Sequence, residues 1–400
     1  MKPTPLPRTI NATQMRQVNS SAILELIRQH SPIARSEISR LLELSMPTVT
    51  RIVEELIKDG LVRSTGETAG VAGRPRELLE YNKSGSAVIG IDLGGTKLYG
   101  ALANIGGEIL GEVCKSQHAT SGEESFALVA EMIQSLIESA SEKEQKLLGI
   151  AVGAPGITHV KTGRVEWAPS LKWRDFPLKQ RIADRFHLPV VVDNDVNLAV
   201  LGEQWFGAGK GVSNLLLLAI GTGMGAGLVI DGVIYRGHNE AAGEVGYFLP
   251  EVGALGKRYD QFGAMENIVS GTGIAERAKR LLSGSRPEYE LELLTASEVF
   301  EAARKGESWA IQIVEETADY LSMVIADIST LLDPELIILS GGVSNSTDLL
   351  IPPILKRLDG VIQHIPRLEV SALGAKATVM GAISLILHLT KDYYVVRRLY

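Results

Sequence analysis

The first sixty residues alternate apolar and polar positions with the period of an amphipathic helix. Residues 18–29 place four aliphatic side chains at helical spacing, which predicts a first helix. Ser36 is placed to cap a second, short helix, and residues 43–45 form the turn that follows it. A third helix is predicted to begin near Pro47, which the first turn of a helix tolerates, and to end at Asp59-Gly60. Its buried face is predicted to comprise Val49, Ile52, Val53, Leu56 and Ile57.

Two short apolar runs follow the third helix. Residues 61–63 and 78–81 predict two strands, and a glycine-rich segment with arginines joins them. This order is typical of a winged helix-turn-helix, whose slim cationic wing tip fits a narrow minor groove. The polar face of the third helix carries side-chain types that contact phosphates and base edges. The predicted DNA-contacting residues are Ser36, Ser45, Thr48, Thr50, Arg51, Arg74, Pro75 and Arg76. The alternative is a small helical bundle that binds protein, with a flexible linker in place of the wing.

From residue 87 the pattern changes to short apolar runs that alternate with helical segments, which is typical of α/β architecture. Three predicted strands, at residues 87–92, 215–220 and 336–339, each end in a glycine-rich turn. Such turns let backbone N–H groups approach phosphate oxygens. One Gly-Gly turn also occurs in ordinary hairpins, but three favour two related halves that face one nucleotide. Asp92, at the end of the first strand, is placed to hold a magnesium ion.

A further polar cluster follows residues 190–192, another predicted strand. Asp193, Asn194, Asp195 and Asn197 lie at its carboxyl end, where polar groups usually line a cleft. A carboxylate in that position can accept the proton of a hydroxyl group that attacks a phosphate. The alternative is that these side chains only cap the following helix.

Composition and charge narrow the class of protein. The 400 residues are 45% hydrophobic and 22% charged, which is ordinary for a globular protein of two or three domains. The single cysteine, Cys114, excludes a disulfide framework and a cysteine-rich metal site. The N-terminus lacks the apolar core of a signal peptide, and the apolar runs are strand-sized, so we expect a cytoplasmic protein without a membrane segment. Residues 1–86 have a net charge of +3 within a chain of −7, which suits a polyanionic partner at that end.

The three glycine-rich motifs together resemble those of the ROK family of sugar kinases and sugar-responsive repressors. They are DLGGTK at 92–97, GTGMGAG at 221–227 and SGGV at 340–343. The resemblance covers nearly the whole chain, including the winged helix of the regulator branch. It implies a two-lobed α/β fold, the actin-like ATPase (ribonuclease H-like) fold, preceded by a winged helix-turn-helix domain. The implied domains are 1–83 for DNA binding, 86–198 for the first lobe with a C-terminal helix 376–391 packed on it, and 199–375 for the second lobe.

The resemblance also implies the residues of a cleft that binds ATP, with Mg²⁺, beside a sugar. Asp195 is the implied catalytic base, and Asn194 is an implied sugar contact. The implied nucleotide-binding residues are Asp92, Gly94, Gly95, Thr96, Lys97, Gly221, Thr222, Gly223, Gly225, Gly341 and Gly342. The implied sugar-binding residues are Gly153, Pro155, Gly156, Ser170, Asn194, Asp195, Glu244, Tyr247 and Glu266.

The sequence departs from the family pattern beside the sugar. Ser170 stands where family members commonly have asparagine, and Tyr247 stands where they usually have a histidine that serves zinc and sugar. Lys257, Tyr259 and Ala264 replace the three cysteines of the family's zinc loop. A closed zinc site needs histidine or thiolate ligands, so no zinc is expected here. We expect packing to hold the loop instead, through Tyr247, Tyr259, Phe262 and Met265.

These observations favour a sugar-responsive DNA-binding transcriptional regulator, a repressor, of carbohydrate-metabolism genes. Its expected partners are operator DNA and a small-molecule sugar, and we expect a homodimer or homotetramer. The alternative is an ATP-dependent, glucokinase-like sugar kinase that transfers the γ-phosphate to a hexose hydroxyl and carries an appended DNA-binding domain. Intact phosphate motifs keep this alternative open, since repressors of the family often have eroded ones. A scaffold that binds neither ligand would require the glycine turns to be incidental.

Overall fold

The computed structural model describes residues 12–69, 76–95, 97–259, 263–285, 287 and 291–390. The N-terminal part contains three helices and a three-stranded antiparallel sheet with the order β1-β3-β2. Its elements are α1 (Ala12–His30), β1 (Ile33–Ala34), α2 (Arg35–Leu41), α3 (Met46–Lys58), β2 (Val62–Ala69) and β3 (Arg76–Tyr81). The predicted winged helix-turn-helix is therefore confirmed, with longer strands than the sequence indicated. Arg74 and Pro75, at the predicted wing tip, lie outside the described residues.

Two details of this domain correct the sequence prediction. Ser36 does not cap α2, because the pairing of β1 with β3 ends at Ala34 and the helix begins at the next residue. Ser36 therefore lies within the first turn, and its Oγ is buried without a hydrogen-bond partner among the described residues. Ile57 is 36% exposed rather than buried. It lies about 100° around the helix from Leu56, at the edge of the apolar stripe.

The body is built on two five-stranded sheets with the same connectivity. In the first sheet, of order β11-β7-β4-β5-β6, three parallel strands are followed by two antiparallel ones, and the second sheet, β16-β15-β12-β13-β14, repeats this arrangement. The first sheet comprises β4 (Ala87–Leu93), β5 (Lys97–Asn104), β6 (Ile109–Ser116), β7 (Leu147–Ala154) and β11 (Val190–Asn194). The second comprises β12 (Leu215–Ile220), β13 (Met224–Ile230), β14 (Val233–Tyr235), β15 (Leu336–Ser340) and β16 (Arg367–Val370). The repeat confirms the two-lobed fold and the expectation of two related halves.

The described part of the body also contains a small antiparallel sheet, nine α-helices and five short 3-10 helices. The small sheet comprises β8 (Thr158–His159), β9 (Arg164–Ala168) and β10 (Trp173–Phe176). The helices are α4 (Gly122–Glu142), α5 (Leu178–Phe186), α6 (Asp195–Phe206), α7 (Glu266–Val269), α8 (Gly271–Leu282), α9 (Ala296–Arg304), α10 (Ser308–Leu332), α11 (Thr347–Leu358) and α12 (Ala377–Thr390). Nowhere along the described chain is a helix both long and apolar enough to cross a membrane.

Helices α6 and α12 pack tightly together and connect the two sheets. A Cβ atom added at Gly202 of α6 would lie 2.1 Å from the Ala377 carbonyl oxygen, and one added at Gly381 of α12 would lie 1.8 Å from that of Leu198. Only glycine permits so close an approach. Helix α12 packs on strands β4 and β7 of the first sheet, whereas α6 also contacts β12 and β13 of the second. The domain boundary expected between residues 198 and 199 falls inside α6.

The second glycine-rich motif forms a shorter turn than predicted. Strand β13 begins at Met224, paired with Ile220, and not near residue 228. Gly225 and Gly227 are therefore strand residues, and only residues 221–223 form the turn. The strand lies against α6, where a Cβ atom at Gly227 would be 2.7 Å from the Val196 carbonyl oxygen. Glycine at this position thus serves helix packing.

Candidate functional site

Strand β11 delivers its polar cluster directly into the first turn of α6. Asn194 is the N-cap, and its Oδ1 accepts hydrogen bonds from the backbone N–H groups of Val196 (2.9 Å) and Asn197 (3.1 Å). Its Nδ2 donates to the Gly156 carbonyl oxygen at 3.1 Å. The capping interpretation is therefore confirmed for Asn194. The same side chain joins this corner to the turn predicted to lie beneath a sugar.

Asp193 is the buried member of the cluster, with a side chain only 1% exposed. Its Oδ2 accepts from Nη2 (2.5 Å) and Nε (3.1 Å) of Arg236, which follows β14 in the second lobe. Its Oδ1 accepts from the backbone N–H of Asn194 (2.8 Å) and from Nδ2 of Asn197 (3.2 Å). Sequence reasoning missed Arg236. The only available signal was the buried aspartate, which needs a cation but does not say which one.

Asp195 and Asp92 bring two carboxylates together without a compensating cation. Burial raises the pKa of Asp195 to about 8, and the nearby carboxylates of Asp92 and Glu244 add to the rise. Burial likewise raises the pKa of Asp92 to about 7, against the opposing effect of a hydrogen bond from the Thr378 hydroxyl. Neither carboxylate has a salt-bridge partner within the described ranges. Such a pair favours a ligand that brings positive charge or hydroxyl donors.

Glu244 and Glu266 form a second acidic pair on the other side of the cleft. Burial raises the pKa of both, and the charge of Glu266 adds to the effect on Glu244. The carboxylate of Glu266 accepts from the backbone N–H groups of Met224 (2.7 Å) and Gly263 (3.0 Å). Glu266 therefore links the second glycine-rich motif to the loop in which the family pattern has its zinc ligands.

The zinc-loop positions follow the packing expectation only in part. Met265 is buried and Tyr259 is half-buried, whereas Tyr247 is 54% exposed and does not fill the loop. Burial raises the pKa of the Tyr247 hydroxyl, and the charges of the neighbouring Glu244 and Glu266 add to the rise. Phe262 lies outside the described residues. In the part of the chain that the structure describes, no group of three or more His, Cys, Asp or Glu residues could hold a metal ion.

Two of the glycine-rich turns leave part of their main chain uncovered. Added Cβ atoms at Gly221 and Gly342 would meet no described atom within 4 Å, so their backbone faces open space. Gly341 has a φ of +84°, which favours glycine, and its carbon abuts the end of β12. These features fit the binding of phosphate oxygens by backbone N–H groups.

The remaining predicted nucleotide residues surround these turns. In the first turn, Cβ atoms at Gly94 and Gly95 would lie 2.6 Å from the Lys97 carbonyl oxygen and 3.4 Å from Cβ of Ser170. Lys97 is exposed, and Thr96 lies outside the described residues. In the second turn, the Thr222 carbonyl oxygen accepts a hydrogen bond from Thr272 (3.1 Å), and a Cβ at Gly223 would lie 2.2 Å from Oε1 of Glu266.

The predicted sugar turn lies close to Asp195. A Cβ atom at Gly153 would be 3.1 Å from Cα of Asp195, and one at Gly156, with a φ of +76°, would be 2.2 Å from the Trp167 carbonyl oxygen. Pro155 is half-buried between them, and Ser170 is exposed opposite Gly95. The structure thus brings the predicted sugar residues Gly153 and Gly156 into one corner with Asn194 and Asp195.

The polar groups of α3 differ in exposure: Ser45 and Arg51 are exposed, whereas Thr48 is half-buried. Ser45 is the N-cap: its Oγ accepts from the Thr48 N–H (3.4 Å) and lies 2.8 Å from the Thr48 hydroxyl. Thr50 is half-buried. Arg51 is exposed and forms no ion pair with any described residue, and Arg76, also exposed, begins β3. Arg51, the one arginine of α3, is therefore exposed and available to DNA.

The far end of α6 contacts the DNA-binding domain. The guanidinium of Arg28, on α1, lies 4.8 Å from the ring centre of Trp205, and Glu25 holds it in place with bonds of 2.6 and 2.8 Å. The Tyr81 hydroxyl, at the end of β3, donates to the Ile105 carbonyl oxygen in the body (3.2 Å). One continuous cluster of buried apolar residues includes α1, α3, β3, α6 and α12. The helix that begins at Asp195 therefore ends against the DNA-binding domain.

Both parts of the chain match known protein families. A model of the ROK family matches residues 88–388, and a model of the MarR family matches residues 18–68. The chain is 34% identical over 393 residues to a putative xylose repressor of Caldicellulosiruptor sp. (strain Rt8B.4), covering 94% of this chain and 97% of that one. It is 37% identical over 315 residues to a glucokinase of Halalkalibacterium halodurans, covering 73% of this chain and 92% of that one. Among solved structures, a ROK family transcriptional regulator, a homolog of the E. coli MLC protein, matches with a TM-score of 0.82 and 26% identity, over 95% of this chain and 98% of that one.

Proposed function

Because this chain belongs to the ROK family, we propose that it is a sugar-responsive DNA-binding repressor of carbohydrate-metabolism genes. The observation that carries the proposal is helix α6, which begins at Asn194 and Asp195 in the cleft and ends at Trp205 against the DNA-binding domain. A ligand that moves the first turn of this helix also acts on its last turn, since a helix of this length is a rigid element. The winged helix, the cleft and a direct connection between them occur in one chain.

The proposed sugar site is formed by groups from both lobes. Asp195 and Glu244 accept hydrogen bonds from sugar hydroxyls, and Asn194 contributes the N–H of Nδ2 that does not bind Gly156. Hydroxyl donors satisfy these clustered carboxylates, so the sugar is expected to bind where the protein itself supplies few donors. A ligand that contacts both lobes favours the closed cleft over the open one.

We propose a homodimer or homotetramer as the working state. Two-fold symmetry pairs two winged helices with the two halves of a palindromic operator, and the spacing of the half-sites follows from the symmetry. On each protomer, Arg51 contacts a base edge or a phosphate, and the wing that contains Arg76 follows the backbone or minor groove.

The DNA-binding part of the proposal is tested by gel shift with the DNA upstream of the gene. The wild-type chain is expected to give a specific shift that excess unrelated DNA does not remove. Arg51→Ala is expected to weaken it by about 10- to 100-fold, corresponding to the loss of one good base or phosphate contact. Lys58→Ala, in the last turn of the same helix, is the matched control and leaves binding within about twofold. The absence of any specific shift at low salt would refute regulation and leave only the kinase.

A second function, ATP-dependent sugar phosphorylation, is favoured by the intact glycine turns and by the similarity to a glucokinase. The site fits a magnesium nucleotide: two glycine-rich turns leave part of their main chain uncovered, and Asp92 is a carboxylate that lacks a cation partner among the described residues. Mg²⁺ bound there would neutralise phosphate charge, and Asp195 is the group placed to accept the hydroxyl proton. Coupled measurement of ADP release with hexoses, pentoses and N-acetylated sugars tests this. Sugar binding without turnover of any of them would make the protein a pure sensor.

A further inference from the structure

We propose that Arg236 is a positioning residue of the sugar site, which holds the Asn194–Asp195 corner in place from the opposite lobe. The inference rests on the proposed function, because it treats this corner as the place where a sugar binds. Arg236 itself does not touch the sugar. It acts through Asp193, one residue before the corner.

Arg236 and Asp193 form a buried ion pair that uses the two carboxylate oxygens differently. Both N–H groups that Arg236 directs at Asp193 go to one oxygen, Oδ2, at 2.5 and 3.1 Å. The other oxygen, Oδ1, is thereby left to accept from the backbone N–H of Asn194 and from Nδ2 of Asn197. Asp193 thus acts as a bridge, because its carboxylate joins a second-lobe cation to the backbone that places Asn194 and Asp195.

Arg236 also begins a short loop that contacts the first lobe at two places. The Ala242 N–H closes the loop on the Arg236 carbonyl oxygen (3.0 Å). Within it, the carboxylate of Glu240 accepts from the backbone N–H of Val160 (2.6 Å), just after β8 and the predicted sugar turn. The loop therefore rests on both segments of the first lobe that form the sugar corner.

The same loop leads directly to Glu244. The next residue, Gly243, has a φ of +94°, and its carbonyl oxygen accepts from the Ala226 N–H (2.8 Å), which fixes the chain against β13. Glu244 follows immediately. Arg236 therefore sets the spacing between Glu244 on one wall of the cleft and Asn194 with Asp195 on the other.

The loss of Arg236 also carries an energetic penalty. Asp193 is 1% exposed, and removing one partner of a buried ion pair leaves the other charge uncompensated, so water enters in place of the guanidinium. That water competes for the carboxylate and weakens its hold on the Asn194 N–H. A lysine keeps the charge but has no planar fork that directs two N–H groups at one oxygen. Arginine is thus required for the geometry as well as for the charge.

The test compares Arg236→Gln and Arg236→Lys with Arg304→Gln as the matched control. Arg304 also forms cross-element carboxylate bonds, to Asp348 at 2.7 Å, but its described partners Glu301, Ser346 and Asp348 all lie within the second lobe. Hydrogen exchange of the peptide over residues 190–200 in the sugar-free full-length protein reads the positioning directly. Calorimetry with D-xylose and with D-glucose, the sugars named by the relatives, reads its consequence.

We expect faster exchange at residues 194–197 and about tenfold weaker sugar binding in Arg236→Gln, with smaller changes of both kinds in Arg236→Lys. Arg304→Gln should match the wild type in both measurements. If Arg236→Gln does not fold, the Asp193→Asn/Arg236→Gln double variant removes the unpaired charge and is expected to show the same two changes. Wild-type exchange in the glutamine variant, or in the double variant, would overturn the inference. Wild-type protein that binds neither sugar would contradict the proposed function instead, while the exchange measurement still decides the role of Arg236.

Discussion

The two ends of helix α6 treat buried carboxylates in opposite ways. At its last turns, Glu203 is fully buried, and its carboxylate accepts from the Ser371 hydroxyl (2.6 Å) and the backbone N–H groups of Ala208 (2.8 Å) and Leu373 (2.9 Å). At its first turn, the Asp195 carboxylate, next to Asp92 and Glu244, accepts from the adjacent Val196 N–H (2.9 Å) and from its own backbone N–H. The Glu203 carboxylate therefore has donors from distant parts of the fold, whereas the Asp195 carboxylate has, among the described residues, donors only from the adjacent backbone.

The difference shows where this fold tolerates electrostatic stress. A protein interior normally satisfies every buried polar group, so an acidic cluster without donors lowers stability until a ligand arrives. The last turns of α6, by contrast, need no ligand and stay packed on α12 and on the DNA-binding domain. A displacement of the first turn can therefore be transmitted along the helix to the DNA-binding domain.

The comparison predicts its largest effect on sugar affinity. Above its pKa of about 8, Asp195 is a charged acceptor at the first turn of α6, and Asp195→Asn should then weaken sugar binding by about 10- to 150-fold, the loss of one hydrogen bond to a charged group. Glu203→Gln, on the same helix, should leave sugar affinity within about twofold while lowering the melting temperature. Calorimetry and thermal unfolding of the two variants check this. Equal losses of affinity would show that the two ends do not differ in the way described here.

A smaller effect is expected at the contact between the last turn of α6 and helix α1. Trp205→Ala removes the ring beneath Arg28 and should reduce the influence of sugar on DNA affinity by about fivefold, while each ligand alone still binds. Arg28→Ala should have the same effect, and the double variant should add little to either single change, since both remove one contact. Fluorescence anisotropy with labelled operator, with and without sugar, measures the coupling. Additive losses in the double variant would exclude this contact as the link.

The smallest expected effect is on stability and its dependence on pH. An aspartate in an unfolded chain ionises near pH 4, whereas the pKa values of Asp92 and Asp195 in the fold are about 7 and about 8. The folded protein therefore binds more protons over this range, and its free energy of unfolding falls as the pH rises from about 4 to about 8. Asp195→Asn should raise the melting temperature at pH 8 by roughly 2–4 °C and have no effect near pH 4. A stabilisation that is independent of pH would argue against the raised pKa.

The sequence predicted those features that are encoded locally. The helix-turn-helix follows from apolar spacing within α3, and each glycine turn follows from a few adjacent residues. Features set by distant contacts escaped it. Ser36 failed as a cap because the pairing of β1 with β3 decides where α2 begins, and Gly225 and Gly227 proved to be strand residues because β13 packs on α6.

The site shows the same limit. Asn194 and Asp195 could be placed from the strand that precedes them, but the partner of Asp193 lies 43 positions away, in the other lobe. No short pattern marks Arg236 as that partner among the arginines of the chain. The exposed position of Tyr247 also depends on how the loop folds over Met265, which residue types alone do not reveal.

The most direct test of the connection between cleft and DNA is the operator affinity of the wild-type protein, measured by fluorescence anisotropy with and without saturating sugar. Calorimetry on the same preparation establishes that the sugar is bound. Two sites joined through α6 should give a change in the DNA dissociation constant of about 5- to 150-fold. An unchanged dissociation constant with the sugar bound would contradict the account.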